Sequence, residues 1–361
     1  MAIDKRYKKR QCDIQSALRS DPEVFGSDSV PQMWPVDGRH PDVRRPSLLG
    51  LADGRNNLHP SIRESAVEYF SREGIKWWRH TLFERDALGV NVPSIVTVSS
   101  QIACVNHLFP IRRDREAVLA VANALGAPEG IVFSDVLPVN CESDPADTAY
   151  VGFEACLADR SLMGENGRRG EYCTSVDALM YNVSESGEKW LIPIEWKYTE
   201  LYPWDSSDLL DCSDSRKRYS AKKRLDTYLG QFRDSPFVRL VPWEGPSADG
   251  GRKYVNFFNP FYELSRQAVW AATEIANAST EPVAREHGVD RVLHVCMVPD
   301  GNTDLIQGDY GTGKGLEETW RSCLGDDPRY VFRIADPGKV FPILKEKYPD
   351  LVQYLEKRYW N

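Results

Sequence analysis

Asp177, Glu195 and Lys197 are the residues of this chain whose types and spacing could carry chemistry. They fall in two stretches, Thr174-Ser175-Val176-Asp177 and Ile194-Glu195-Trp196-Lys197-Tyr198. Side chains alternate along a strand, so Glu195 and Lys197 share one face, while Trp190, Ile192, Ile194, Trp196 and Tyr198 share the other. A carboxylate and an ammonium on an otherwise apolar strand need a reason, because burying an unpaired charge is costly. The polar loop at 184–189 predicts a hairpin. Mirroring about its centre takes Asp177 to position 196, and a shift of one residue sets it across from Glu195 or Lys197, on their face. Two carboxylates so close repel unless a cation lies between them. Hard oxygen donors with room for water suit Mg²⁺ or Mn²⁺. The neighbouring lysine can orient or deprotonate an attacking water and offset charge on a phosphate. Together these parts describe metal-assisted phosphodiester hydrolysis. The plainer alternative is a structural ion pair between Lys197 and Asp177 or Glu195.

The elements that must position these residues are legible in outline. A capping pair, Ser61 and Glu64, predicts a helix from 61 to about 80, and Ser99 predicts a second over Ser100–Phe109, ended by Pro110. Strands are expected over Ala149–Cys156, which carries the lone acid Glu154, over Glu171–Val183, and over Trp190–Tyr198. Pro193 removes a ladder donor, so a bulge or an open edge is expected there. Asn259-Pro260 reads as the cap and first turn of a helix. Its positions Phe261, Leu264, Ala268, Ala271 and Ile275 form one buried face, and Arg291–Val298 is apolar enough for a central strand. The predicted class is α/β, with a helix–three strands–helix–strand core, a mixed sheet flanked by helices, and extensions at both ends. Residues 1–60 read as an irregular arm, with four prolines between Val30 and Pro46. Residues 61–361 read as one domain, with a core over about 98–298 and a C-terminal extension over 299–361.

These residues resemble the PD-(D/E)XK nuclease superfamily of restriction and repair. Asp177 matches the aspartate of its first motif, and Glu195-Trp196-Lys197, the only such tripeptide in the chain, matches (D/E)XK. More narrowly, Ser99-Ser100-Gln101 and the two stretches above are similar to a bacterial family of stand-alone restriction-endonuclease-like proteins. The resemblance implies a restriction-endonuclease-like fold and Mg²⁺-dependent (or Mn²⁺-dependent) DNA cleavage. Asp177 and Glu195 would ligate the metal and Lys197 would activate or orient water. Two departures are visible. The first motif is Val-Asp rather than Pro-Asp, and the helix at Ser100 has no glutamate, which leaves Gln101 in that place and Glu154 as the third carboxylate.

Other features of the chain bear on this. With 45 basic and 53 acidic residues, net −8, the chain is no bulk polyanion binder, so DNA contact must be local. Arg216, Lys217, Arg218, Lys222, Lys223 and Arg224 form such a run, in what reads as a loop after the motif strand. They could hold phosphates or simply face solvent beside Asp205, Asp208, Asp211 and Asp214. Arg266 and Gln267 are accessory candidates at the start of a helix. Lys5 to Arg10 reads as a mobile basic tail. Trp77-Trp78 reads as core. Gly308–Gly315 nearly matches GxxxxGK[ST] but ends in glycine, without the hydroxyl, so no nucleotide cofactor is expected. Eight cysteines without a CxxC, and His294 with Cys296 lacking a second ligand pair, argue against zinc. With no apolar span and no secretory signal, the expectation is a cytoplasmic protein away from membranes. Double-strand cutting with one site per chain would favour a homodimer. The other class of reading is a non-catalytic DNA-binding or defence-complex protein on the same fold.

Overall fold

A computed structural model of the 361-residue chain describes residues 6–26, 48–79, 89, 91–139, 148–165, 173–202, 215–243, 254–279 and 287–360. The helices of use below are α1 (Arg6–Ala17), α2 (Arg63–Arg72), α3 (Ser100–Leu108), α4 (Arg115–Gly126), α5 (Ser215–Asp234), α6 (Phe261–Ala276), α7 (Leu316–Ser322) and α8 (Pro349–Tyr359). The strands are β1 (Phe133–Leu137), β2 (Gly152–Ala155), β3 (Val176–Ser184), β4 (Lys189–Trp196), β5 (Arg291–Met297) and β6 (Tyr330–Ala335).

One six-stranded mixed sheet organises the molecule, in the order β1-β3-β4-β5-β6, with β2 also paired to β3. β1 and β2 lie end to end along β3, both antiparallel to it; β3–β4 is the hairpin, and β4–β5 and β5–β6 are parallel. One face is covered by α2, α3, α4 and α8, which pack on Ala178, Met180, Ile192, Ile194 and Trp196. The other is covered by α5, α6 and α7, which pack on Leu179, Tyr181, Leu191, Val292 and Cys296. β5 is apolar along nearly its whole length because it is parallel-paired on both sides and buried on both faces. This is the α/β, restriction-endonuclease-like architecture expected from the strand and helix order.

The local signals held where side chains cap. Ser99 Oγ accepts from Ile102 N–H and starts α3, and Asp114 caps α4 from outside. α6 buries Phe261, Leu264, Ala268 and Ala271, with Ile275 partly covered. Other expectations are corrected. The helix foreseen to about His80 ends at Arg72, because Gly74 at φ 64° forms a Schellman stop with Gly74 N–H to Ser71 O and Ile75 N–H to Phe70 O. The 3-10 turn Pro60–Ile62 that leads into it is capped by His59, whose ring accepts from Ser61 N–H, and α2 starts after Ile62 with no side-chain cap, so the Ser61–Glu64 pair does not form. Asn259 does not cap α6; the carbonyls of Phe258 and Pro260 take its first N–H groups. Pro193 lies mid-strand against Leu179 with the register intact before and after it. The N–H groups of odd-numbered residues along β4 face β5, as Lys197 N–H to Met297 O just past its end shows, so the missing donor falls on the β5 side and no bulge forms. Within the segment expected to be irregular, α1 is a docked helix. It buries Tyr7, Gln11 and Gln15, with Gln15 Nε2 donating to Tyr198 OH and Arg358 O. Lys8, Lys9 and Arg10 are its exposed face rather than a mobile tail. The proline-rich stretch from Val30 to Pro46 lies outside the described residues.

Candidate active site

The β3–β4 register, with Ala178 across from Ile194, sets Asp177 across from Glu195 one step further on. On the other side of β3, the pairs Phe153–Ala178 and Ala155–Val176 bracket Glu154 and Asp177. Three adjacent strands thus contribute a row of carboxylates: Glu154, Asp177, Glu195. At Glu154 the backbone turns left-handed, φ 48°, alone among the described non-glycine residues. That conformation is strained for an L side chain. It coincides with a change of facing. Phe153 and Ala178 pack in the core under α3, whereas Ala155 and Val176 pack in the core under α6.

Each acid is held differently. Glu154 is buried; Oε1 accepts from Gln101 Nε2 at 2.8 Å and Trp78 Nε1 at 3.0 Å, and Oε2 accepts from Ser175 Oγ at 2.9 Å. Gln101 and Glu154 therefore work together, rather than one standing in for the other. Asp177 Oδ2 accepts from Trp196 N–H at 2.7 Å. Burial pushes the Asp177 carboxyl well above the usual carboxylate range, and Glu195 and Glu154 push it further. Burial also raises Glu195, against the pull of Lys197. Lys197 Nζ lies 2.5 Å from both Glu195 Oε1 and Glu263 Oε2, and within 5.5 Å of the Tyr202 ring centre. Burial alone would lower the lysine, but Glu195 and Glu263 outweigh it and hold it well above its ordinary value. In this arrangement Lys197 is an ammonium, which can donate to water or an anion but has no lone pair with which to take a proton.

Glu195 Oε2 accepts from Gln267 Nε2, which also donates to Ser175 O at 3.0 Å. The other end of that amide, Oε1, faces His294 Nε2 at 3.0 Å, and His294 Nδ1 faces Tyr330 OH. Burial lowers His294 to about 3, so it is neutral. A neutral ring that must donate to Gln267 Oε1 carries its proton on Nε2 and accepts from Tyr330 at Nδ1. The relay fixes which end of Gln267 meets Glu195, and it accounts for both nitrogens of His294.

The remaining candidates separate. Arg266, also on α6, turns from the row to Thr174 Oγ1 at 3.0 Å and to Glu165 at 3.7 Å, over the rings of Tyr228 and Tyr262. The basic run is on helix α5, not in a loop, since its sequence continues into the buried Tyr228 and Phe232 one turn apart. Lys222 and Lys223 are exposed, and Arg224 lies over the Tyr262 ring at 4.7 Å. The side chains of Arg216, Lys217 and Arg218 lie outside the described residues. Lys314 of the glycine-rich segment pairs with Glu318, and a helical turn, Thr303–Ile306, precedes that segment where a phosphate loop has a strand. Sequence reasoning missed Glu263, Tyr202, Ser175, Trp78 and the role of His294. Glu263 alone had a signal: it stands four residues before Gln267, on the same side of α6.

For a divalent ion, the row offers hard oxygen donors, and Asp177 Oδ1 receives no hydrogen bond among the described residues. Burial raises the Asp177 and Glu195 carboxyls, neighbouring carboxylates add to the rise, and a cation between them would offset both. Among the described residues no group of three or more His, Cys, Asp and Glu is gathered as a metal cage. Mg²⁺ held by one or two carboxylates plus substrate phosphate and water needs none. The donor set therefore fits such an ion.

A family model described as Restriction Endonuclease associating with ARP matches residues 39–360. No curated protein and no solved structure matches the chain.

Proposed function

We propose that this chain, which belongs to the family of restriction endonucleases associating with ARP, is a divalent-metal-dependent nuclease of the PD-(D/E)XK kind that hydrolyses DNA phosphodiester bonds. The observation that carries the reading is the row of Glu154, Asp177 and Glu195 on adjacent strands with Lys197 at its end. Mg²⁺ or Mn²⁺ would be held by Asp177 and Glu195, and when bound supplies a water of lowered pKa and a Lewis acid at the phosphoryl oxygen. The chain's own residues do the rest. Lys197 keeps its proton and offers positive charge to the phosphate and a donor to the water. Glu263 and Tyr202 hold the lysine from the α6 side. Gln267, oriented by His294, fixes the rotamer of Glu195. Gln101 and Ser175 fix Glu154 beside Asp177.

The exposed basic face of α5 would hold flanking phosphates, and an ARP partner, named in the family's description, would assemble with the chain. The reading places the protein in the cytoplasm, where its thiols stay reduced. A structural role for the row is disfavoured by its charge: Glu154, Asp177, Glu195 and Glu263 outnumber the nearby cations, Lys197 and Arg266. The test is cleavage of a mixed DNA panel in Mg²⁺, Mn²⁺ and EDTA, with Asp177→Asn alongside. Metal-dependent cleavage lost in the variant is expected. A wild-type protein that binds DNA and Mn²⁺ yet cuts nothing would return it to the non-catalytic, DNA-binding reading.

A further inference from the structure

We propose that Trp78 is a stacking platform for one unpaired nucleobase of the substrate strand, a subsite that rests on the nuclease reading above. The adjacent tryptophans of the sequence have parted. Trp77 is 3% exposed and stacks on Phe70 with centroids 3.9 Å apart, an ordinary core ring. Trp78 is 54% exposed and is the only aromatic among the large exposed hydrophobic side chains of the described residues. A lone exposed apolar residue means little. This one is anchored at both ends: its N–H donates to Gln101 Oε1 at 2.9 Å and its indole Nε1 donates to Glu154 Oε1 at 3.0 Å. Gln101 in turn is tied to Lys76 O at 3.1 Å and to Glu154. The ring is therefore fixed in place while more than half of the residue meets solvent, and its polar edge is bonded to the first acid of the row.

Charge explains why an aromatic would stand there. Beside Glu154, Asp177 and Glu195, a lysine or arginine would be drawn into ion pairs and lost to the substrate. An aromatic face attracts a base by stacking and desolvation, which the negative field does not cancel. A base inside a duplex has both faces covered, so the occupant is a base from a single strand or one extruded from the stack. Pre-fixing the ring removes the ordering cost that a free side chain would incur on binding.

The experiment uses the full chain, with Ca²⁺ replacing Mg²⁺, and anisotropy of labelled oligonucleotides. Trp78→Ala is expected to weaken single-strand binding by about 5- to 150-fold, the range of one base stack removed. Trp78→Phe, which keeps one aromatic ring but loses the second ring and the indole bond to Glu154, should stay within about 3-fold of wild type, and blunt duplex binding should hold within about 2-fold in both. Walking one abasic site along the strand supplies the decisive cycle. At one position the wild type should lose affinity while Trp78→Ala loses none further. An unchanged Trp78→Ala, an equal loss on duplex and single strand, or a loss independent of every abasic position would overturn the proposal. The last two outcomes would assign the ring to a backbone contact or to packing; an unchanged affinity would leave it free for a protein partner. The two readings fail separately. Asp177-dependent cleavage with a Trp78-insensitive strand sinks only the platform, and a complete abasic cycle in a protein that cuts nothing sinks only the nuclease.

Discussion

Arg358 and Lys197 are both buried cations, on opposite sides of the sheet, and their surroundings differ in kind. Arg358 is met by neutral acceptors. Its Nε donates to Gln15 Oε1, its Nη1 to Asn57 O and Tyr354 OH, and its Nη2 to Asn57 Oδ1, with the Phe25 and Tyr359 rings against the guanidinium. These bonds draw α1, the Asn57 segment and α8 itself to one point, and no carboxylate is among these partners. Lys197 lies instead among Glu195 and Glu263, with Asp177 and Glu154 next along. A centre built for stability is satisfied and rigid. A centre built to receive something keeps a surplus of one charge, held together by the scaffold around it.

The largest expected effect tests that surplus. Asp177→Asn keeps an acceptor for Trp196 N–H and removes the charge, so cleavage should fall by about 10⁴-fold while the fold persists. It should also raise the melting temperature at neutral pH. The sign follows from a carboxyl pKa raised by folding. The native state then binds the proton more tightly than the unfolded one, so stability is lost as pH rises from the ordinary carboxylate value through the raised one. Thermal melts should therefore show the variant's advantage shrinking as pH falls toward the ordinary carboxylate value. An advantage that grows on acidification would break the comparison.

Arg358→Met should act the opposite way. It orphans several buried acceptors, costing on the order of 3–5 kcal/mol in denaturant unfolding, with cleavage per folded molecule preserved. A selective loss of activity would mean the two centres are not separate. Lys197→Met follows, with cleavage lower by about 100-fold and Mn²⁺ binding retained or tightened in calorimetry. Stability lost without a specific catalytic defect would make Lys197 a structural ion like Arg358. His294→Phe leaves Gln267 free to flip its amide, and kcat should fall by about 10-fold at unchanged KM. The smallest effect belongs to the basic face of α5. Replacing the exposed Lys222 and Lys223 with Ala should weaken every DNA sequence alike and flatten the salt dependence, by about 0.9 in slope for each phosphate no longer neutralised. An unchanged slope would make the run a solvated face.

The sequence exposed the site better than its supports. Asp177, Glu195 and Lys197 were legible because a strand's period of two turns a charge on an apolar segment into an anomaly, and because a hairpin permits only a few registers. Glu263 and Tyr202 were not, since their relation to Lys197 exists only after α6 and the segment beyond β4 have packed. Glu154 was legible as a lone acid, but its left-handed backbone was not: no residue type announces strain, and glutamate is a poor candidate for it. For the fold, capping and apolar spacing located α3 and α6, and one glycine at position 74 was enough to shorten α2. The N-terminal helix escaped for a physical reason. Its buried face is Tyr7, Gln11 and Gln15, so a search for apolar periodicity finds nothing where hydrogen bonds do the docking.

That docked helix has a consequence for the order of events on the ribosome. Gln15 and Arg358 are 343 residues apart in the chain. At about 5–20 residues per second, α1 leaves the ribosome roughly 20–70 s before the helix that receives it. Until then α1 has Tyr198 OH as a partner but not Arg358, and Asn57 and Thr97 have no guanidinium to gather them. A helix made hundreds of residues before its partner is thus fully fastened only late, and the fastening reports that synthesis has passed Arg358.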